Sequence, residues 1–339
     1  MTAPAAQTEP VPLRLLLPLL TGAVILLGLA SCCLGRLHIA PSDLWTALWE
    51  PGASGQTAVV LWRIRIPRML AAAAVGAALA AAGTVFQVLF RNPLVSPDVL
   101  GVSHGAGVGA ALGLLWGLPA AGVQLLAFAG GLLAVWLVYR VARQVPGQDP
   151  ALALILSGIV VGAVLTAALS MLKYTADTDN TLPSIVFWMM GSLTSITLTD
   201  VRFSVPLILA AIVPLLVVSW QLNLLALGEE EAHALGADVR RLRLLVVGCA
   251  TLATATSVSI SGVVGWVGLI VPHACRVAVG PEVGRLLPVS VLCGAGFMIA
   301  VDTLSRMLAG VEVPLGILTA LLGAPIFLRL LVTAERTWA

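Results

Sequence analysis

The sequence predicts an all-α membrane protein of about ten transmembrane helices, and two observations predict it. Of the 339 residues, 59% are hydrophobic and only 10% are charged, whereas soluble domains have about 45–50% and about 25%. The chain also repeats uncharged apolar runs long enough to cross about 30 Å of hydrocarbon as helices. These features exclude an ordinary soluble enzyme, and a transmembrane barrel would show weaker, alternating segments.

Ten apolar runs follow a short tail rich in alanine, proline and threonine. We expect residues 1–14 to form a disordered cytoplasmic tail and residues 15–334 to form a single transmembrane domain. A further apolar stretch, 184–196, is short and follows a polar segment, so it predicts an interfacial helix rather than an eleventh span. The predicted spans are 15–34, 69–90, 99–118, 120–138, 151–172, 203–220, 244–260, 263–279, 287–309 and 314–332.

The basic residues indicate which way the chain crosses the membrane. An even number of spans places both termini on one side, and a cytoplasmic N-terminus turns 11 of the 18 basic residues inward, as the positive-inside rule prefers. Arg63, Arg65 and Arg68 would then face outward. They either anchor a helix end at lipid headgroups or dock an acidic partner, and composition alone leaves both open.

Several kinds of chemistry are not predicted. The only lysine, Lys173, does not belong to a G-x-x-x-x-G-K-[ST] loop, so this chain is not a P-loop ATPase. The five cysteines show neither CxxC nor Cys/His spacing, so no metal site is predicted. No basic stretch could follow a nucleic acid. His104 and His273 have no carboxylate or cysteine at ligand spacing, and we expect them to be hydrogen-bonded structural residues.

Two charged residues and five glycines have informative spacing. Asp302 and Arg306 are four residues apart in a predicted span, so they share a helix face and can pair. A proton relay at Asp302 is the alternative. In the third span, glycine recurs every four residues, which predicts close approach of another helix. These glycines are Gly101, Gly105, Gly109, Gly113 and Gly117.

The connection at residues 221–240 is the longest that we predict on the cytoplasmic side. Its sequence predicts two short helices broken at Gly228 and Gly236, with three glutamates in the first turn of the second helix, where the helix dipole favours them. An amphipathic segment of this kind could fit a groove on a partner, or it could be a solvated loop.

Nine segments, in register over about 270 residues, give the chain a specific resemblance. It resembles the permeases of ABC importers for ferric siderophores, haem and cobalamin. The matching segments are RIPR at 65–68; AG at 82–83 with Gln87; RNPL at 91–94 continuing through SPDVLGV at 96–102 to GA at 105–106; WMMGSL at 188–193; LLALG at 224–228 with ALG at 234–236; GWVGLIVPH at 265–273 with Arg276; LLPVS at 286–290; Asp302 with Arg306; and EVPLG at 312–316 with GAP at 323–325.

The resemblance implies a type II ABC importer permease, located in a bacterial cytoplasmic (inner) membrane. Such a permease pairs with a second copy or close relative and with two ABC ATPase subunits. It receives substrate from a periplasmic or extracellular binding protein and has no nucleic acid partner. The chain itself would then bind no cofactor and would not be an enzyme, since ATP and Mg are used by the partner ATPase.

The resemblance also implies roles for particular residues. Docking of the binding protein is implied for Arg65, Arg68 and Arg306, and a cytoplasmic gate for Asn92 and Leu94. Segment 221–240 is similar to the family's coupling helices, which lie in a cleft of the ATPase. The coupling residues are Leu227, Gly228, Glu229, Glu230, Ala232, Leu235 and Gly236.

The resemblance points to an iron(III) chelate as substrate. The Ser96-Pro97-Asp98 sequence and His104 are more similar to ferric-citrate and siderophore permeases than to cobalamin permeases. Haem and cobalamin are the alternatives within this mechanism. Two hypotheses from other classes remain. A secondary transporter would need broken helices and polar ion-binding residues at the membrane midplane, and a receptor without transport would need no ATPase.

Overall fold

The computed structural model describes residues 12–334 except 36, 38, 50–54, 146–148, 228, 237, 309 and 310. Within that part of the chain the secondary structure is helical. The α-helices are α1 (Leu13–Cys33), α2 (Pro41–Trp49), α3 (Gln56–Val60), α4 (Ile66–Leu89), α5 (Val102–Leu115), α6 (Ala120–Ala142), α7 (Pro150–Thr175), α8 (Thr181–Met190), α9 (Leu198–Val217), α10 (Ser219–Leu227), α11 (Glu229–Ala234), α12 (Val239–Ser261), α13 (Val267–Val279), α14 (Val283–Met307) and α15 (Leu315–Ala334).

Each of the ten predicted spans coincides with a helix, which confirms the predicted fold class. Among the described residues, seven helical segments are long and apolar enough to cross a membrane, and one of them runs without a break from Gln56 to Leu89. The predicted spans at 99–118, 263–279 and 314–332 correspond to the shorter apolar helices α5, α13 and α15. Most of the predicted tail, residues 1–11, lies outside the described residues, and α1 begins at Leu13.

Helices α5 and α13 are short because the backbone turns sharply before each of them. A 3₁₀ turn, Pro97–Leu100, precedes α5 and ends at Gly101, whose φ is 73°. Trp266 precedes α13 with a φ of 70°. A residue in this left-handed region ends the preceding helical geometry, so each span begins with irregular backbone.

Helix α4 lies at the centre of the bundle because its small side chains let other helices approach. It contacts α9, α12, α13 and α14. A Cβ added at Gly76 would lie 2.1 Å from the carbonyl oxygen of Gly294 in α14, and one at Gly83 would lie 1.8 Å from that of Gly268 in α13. Contacts this close are possible only between backbones, as in membrane helix pairs with small residues at the interface.

The glycine stripe of α5 performs the predicted packing role at three of its five positions. Cβ atoms added at Gly105 and Gly109 would lie 2.3 Å and 2.0 Å from carbonyl oxygens of α6, and Gly113 faces Val123 of the same helix. The prediction is wrong for the other two positions. Gly101 is the left-handed residue before α5, and an added Cβ at Gly117 would meet open space.

The sequence did not predict the segment between the first two spans. It forms α2, α3 and one turn of π-helix, Leu61–Arg65, that leads directly into α4. Buried residues of α2, α3 and the π-turn pack with Cys32 at the end of α1. This segment therefore covers the end of the bundle where α1 finishes and α4 begins.

Candidate functional site

Five ionisable side chains meet where α1 and α14 end and α4 begins. We call Arg65, Arg68, Asp302, Arg306 and Glu312 the ion cluster. Arg65 ends the π-turn and Arg68 lies in the first turn of α4. Helix α14 supplies Asp302 and Arg306, and Glu312 lies in the connection between α14 and α15. With three cations and two anions, the cluster has a formal charge of +1.

Arg68 bridges the two carboxylates of the ion cluster. Its Nε lies 2.6 Å from Asp302 Oδ1, and its Nη1 lies 2.7 Å from Glu312 Oε2. The side chains of Arg68 and Asp302 are only 3% and 1% exposed, whereas Glu312 is 31% exposed. A buried charge must be paired to be tolerated, so Arg68 joins α4 to α14 and to the following connection.

Arg65 and Arg306 instead bind the end of α1. Arg65 donates hydrogen bonds to the carbonyl oxygens of Cys32 and Leu37. Arg306 donates to the Leu34 carbonyl oxygen at 3.2 Å and to Ser31 Oγ at 2.7 Å. The last carbonyls of a helix lack intrahelical partners and carry partial negative charge. Both guanidinium groups therefore stabilise the C-terminal end of α1.

The predicted docking arginines thus have partners inside the protein. Arg65 and Arg68 are 5% and 3% exposed, and the side chain of Arg306 is 11% exposed. Arg306 Nε lies 3.3 Å from Asp302 Oδ2, the contact that their spacing on one helix face makes possible, although the geometry is not that of a hydrogen bond. Their role in docking stays a prediction.

Glu312 is the member of the ion cluster best placed to respond to solvent. Burial by itself raises the pKa of its carboxyl, but the charge of Arg68, with hydrogen bonds from Arg68 and from Thr194 Oγ1 at 2.8 Å, outweighs that effect and lowers it. Glu312 therefore stays ionised and links Arg68 to the connection that follows α8.

That connection borders a cleft of about 640 Å³, whose mainly apolar lining includes six residues that carry hydroxyl groups. The cleft lies between the connection from α5 to α6, helix α8 and the end of α12, and Ser192 and Thr194 place it beside the ion cluster. None of the described residues that line it is charged. Its other hydroxyl groups belong to Ser184, Ser195, Ser259 and Ser261.

At the opposite end of α4 the predicted gate residues form a tight turn. The Asn92 N–H donates to the Gln87 carbonyl oxygen and the Arg91 N–H donates to that of Val88, while Arg91 adopts a φ of 47°. This is the Schellman arrangement that ends helices. Asn92 Oδ1 then accepts from the Leu94 N–H at 2.9 Å, and Leu94 is exposed.

The predicted coupling segment forms two helices, as expected, at this same end. Leu225 of α10 and Val239 of α12 line one small cleft with Arg91. The Val283 N–H donates to Asn223 Oδ1 at 2.9 Å, which fixes α10 to the start of α14. Gly228 and the side chains of Leu227, Glu229 and Glu230 lie outside the described part of the chain.

The second helix of this segment, α11, buries one side and exposes another. Ala232 of α11 is fully buried, while Leu235, in the turn that follows the helix, is 62% exposed. Gly236 follows with a φ of 82°, a conformation that glycine adopts without strain. The segment therefore presents a large apolar side chain at the tip of a fixed helix pair.

A model of the FecCD transport family matches residues 23–333. The chain belongs to the FecCD transport family. It is therefore an ABC importer permease, a multi-pass membrane subunit of a transporter.

Relatives of this permease carry names with different substrates. It is 39% identical to a molybdate import permease of Haemophilus influenzae over 91% of this chain and 92% of the relative. It is 43% identical to a cobalamin import permease of Halobacterium salinarum over 80% of this chain and 73% of the relative. It is 39% identical to an Fe(3+)-citrate import permease of Bacillus subtilis over 94% of this chain and 95% of the relative.

A solved structure has the same fold. It is described as an inward-facing conformation of a metal-chelate type ABC transporter, and it superposes with a TM-score of 0.86 at 37% identity, covering 94% of this chain and 99% of that one. The expected permease architecture is therefore confirmed. Sequence reasoning missed Thr194 and the pairing of Glu312 with Arg68; EVPLG at 312–316 was the available signal, but it did not indicate a partner.

Proposed function

We propose that this permease translocates an iron(III) chelate that a soluble binding protein delivers, by alternating access driven by a separate ATPase. The observation that carries the proposal is the placement of the ion cluster and the coupling segment at opposite ends of one helix bundle. A transporter of this mechanism needs a site for the delivery protein on one membrane face and a site for the ATPase on the other.

The uncharged cleft beside the ion cluster supports a bulky chelate as substrate. Its serine and threonine hydroxyl groups can donate and accept hydrogen bonds without fixing the charge of the molecule that passes. The Fe(3+)-citrate relative adds support for iron. Haem and cobalamin remain the alternatives for the same machinery, and the names of the relatives make molybdate a fourth compound to test.

The coupling segment supports mechanical coupling to the ATPase. Leu235 is exposed on a helix pair that Asn223 ties to the start of α14, and α14 runs to the ion cluster at the other end. A movement of α10 and α11 would therefore be passed to α14. ATP drives the cycle only through a difference in its affinity for the two conformations.

The ion cluster favours an ion pair over a proton relay at Asp302. This carboxylate lies between Arg68 and Arg306, and an arginine side chain does not give up its proton in proteins. A proton relay would need a chain of groups that can gain and lose protons. The geometry therefore supports the ATP-driven mechanism over a secondary transporter.

The proposal is tested by reconstituting the permease in liposomes with its neighbouring ATPase and binding protein. We expect ATP hydrolysis to rise, and labelled substrate to enter, when the binding protein carries a ferric siderophore or ferric citrate. Stimulation by haem, cobalamin or molybdate alone would overturn the iron assignment. ATP-independent uptake that follows a proton gradient would overturn the mechanism.

Two substitutions separate docking from folding at the ion cluster. Arg63→Glu changes an exposed arginine in the same π-turn as Arg65, whereas Arg306→Glu changes a residue with internal partners. If docking uses this face, Arg63→Glu weakens binding-protein affinity without lowering the melting temperature. Unchanged affinity in a folded Arg306→Glu variant would remove Arg306 from the docking surface.

A further inference from the structure

A cavity of about 290 Å³ opens between three membrane-spanning helices at the end that carries the coupling segment. Its walls come from the end of α6, the start of α7 and the start of α12. We call it the arginine pocket, because Arg143, Arg240 and Arg243 line it. None of the described residues that line the pocket is acidic.

The carboxylates nearby are engaged outside the pocket. Asp149 Oδ1 accepts from the Ala151 N–H at 2.7 Å at the start of α7, and Asp149 Oδ2 lies 3.2 Å from Arg91 Nη2. Asp238 accepts from the Arg241 N–H at the start of α12 and pairs with Arg241 Nε at 2.9 Å. Asp149 also lines the adjoining small cleft with Arg243, and its charge acts on that arginine. The local excess of positive charge in the pocket therefore comes from Arg143 and Arg240.

The rest of the pocket is apolar and belongs to helices long and apolar enough to span the membrane. Ala142 and Val145 face it from the α6 side, Leu154 from α7, and Leu244 and Val247 from α12. Val145 and Leu244 are also partly exposed on the surface of the protein. A ligand that fits this lining combines an anionic group with hydrocarbon chains.

Aromatic residues place the pocket at the depth of lipid headgroups. The guanidinium of Arg143 lies 5.9 Å from the ring centre of Tyr139, and that of Arg140 lies 5.6 Å from the ring centre of Trp136, which is exposed. Tyrosine and tryptophan concentrate at the boundary between hydrocarbon and water, where their rings and polar atoms meet both environments.

We propose that the arginine pocket binds the phosphate headgroup of an anionic phospholipid, with its acyl chains along α6 and α12. Basic pockets between transmembrane helices bind such headgroups on the cytoplasmic side. A bound phosphate would draw together the end of α6, next to Arg143, and the start of α12, next to the coupling segment, so the lipid would brace the region that meets the ATPase.

Native mass spectrometry of the detergent-purified permease tests the proposal. We expect retention of phosphatidylglycerol or cardiolipin under conditions that remove phosphatidylcholine. If the unmodified chain retains anionic and zwitterionic lipids equally, the proposal is overturned, and no variant is needed for this result. Inorganic phosphate should not displace the lipid at millimolar concentration; displacement would indicate a site for free anions.

The double substitution Arg143→Gln and Arg240→Gln should weaken retention of the anionic lipid about 10- to 30-fold, the loss expected from removing two cations near the surface. Arg241→Gln is the matched control, since Arg241 is 88% exposed on the same helix and lies outside the pocket. It should retain the lipid. A folded double variant that retains the lipid as well as the unmodified chain does would overturn the proposal. If that variant has lost binding of the ATPase while its lipid retention is unchanged, these arginines contact a protein rather than a lipid.

Discussion

Arg68 is the residue on which the ion cluster depends most. Its guanidinium is the shared partner of two carboxylates, and its bond to Asp302 lies almost wholly out of solvent. A missing partner leaves a buried charge uncompensated, which costs more than the intact pair contributes. Removing one partner of this ion pair should therefore destabilise the protein more than removing both partners.

We expect Arg68→Ala to reduce the free energy of unfolding by about 3–5 kcal/mol, measured as a lower melting temperature in detergent. Adding Asp302→Asn should recover part of the loss because the orphaned charge is then removed. Arg63→Ala, at an exposed position, is the control and should melt like the unmodified chain. An Arg68→Ala variant as stable as this control would contradict the structural role.

The lowered pKa of Glu312 predicts that the stability of the protein decreases at acidic pH. Because its pKa is lowered in the folded protein, its contribution is complete above the ordinary glutamate value of about 4.3. That contribution is lost as the pH falls through the folded pKa. Melting curves from about pH 5 down to about pH 2 should therefore show a smaller acid-induced decrease for Glu312→Gln. Parallel curves for both proteins would show that Glu312 contributes nothing.

His273 shows where residue-level reasoning failed. We expected a hydrogen-bonded histidine, and this expectation is wrong: neither ring nitrogen has a partner among the described residues. The ring instead packs edge-on to Phe327 of α15 at 5.9 Å between centres. Its partner lies 54 positions away in sequence, so spacing along the chain could not identify it.

At the scale of elements, glycine positions determine how closely the helices approach. Spacing along α5 predicted a contact face, and the structure assigns α6 to that face. The contact is tight because backbone, rather than side chain, is opposed to each glycine. The interface therefore cannot accept a methyl group without separating the helices.

Gly109→Ala should destabilise the protein by about 1–3 kcal/mol, the usual cost of overpacking, because the new Cβ would lie 2.0 Å from the Leu126 carbonyl oxygen. Gly248→Ala is the matched control, since it lies within α12 and its added Cβ meets nothing within 4 Å. It should be neutral or slightly stabilising, as alanine favours helices. Equal melting temperatures for the two variants would contradict the α5 to α6 packing.

At the scale of the whole molecule, the two ends differ in how their charge is arranged. The ion cluster is buried and nearly balanced, whereas the opposite end exposes Arg140, Arg143, Arg240 and Arg241. Exposed arginine is what the positive-inside rule places in the cytoplasm. The cytoplasmic location of both termini is therefore our prediction for the intact chain.

Reporter fusions test that orientation. Green fluorescent protein fused after residue 339 should fluoresce because the reporter stays in the cytoplasm. The same reporter fused after residue 308, at the end of α14, should be dark because the ninth span carries it across. Alkaline phosphatase at the two positions should give the opposite pattern. Fluorescence from both fusions would show that α14 or α15 does not span the membrane.

The sequence by itself determined where the helices lie. Runs of apolar residues fix each span, and the glycine and glutamate pattern predicted the break between α10 and α11, because both signals act within a few residues. The short helices α2 and α3 were not predicted because they lack a long apolar run. Family membership was also readable, since the nine matching segments are local in sequence.

Only the tertiary structure decided what the arginines do. Arg68 reaches its carboxylates across 234 and 244 positions of sequence, and Arg306 reaches Ser31 across 275. Charge in a sequence does not reveal whether a side chain meets water or a partner. The outcome depends on which helix ends meet in the folded protein, and backbone contacts between glycines of distant spans determine that meeting.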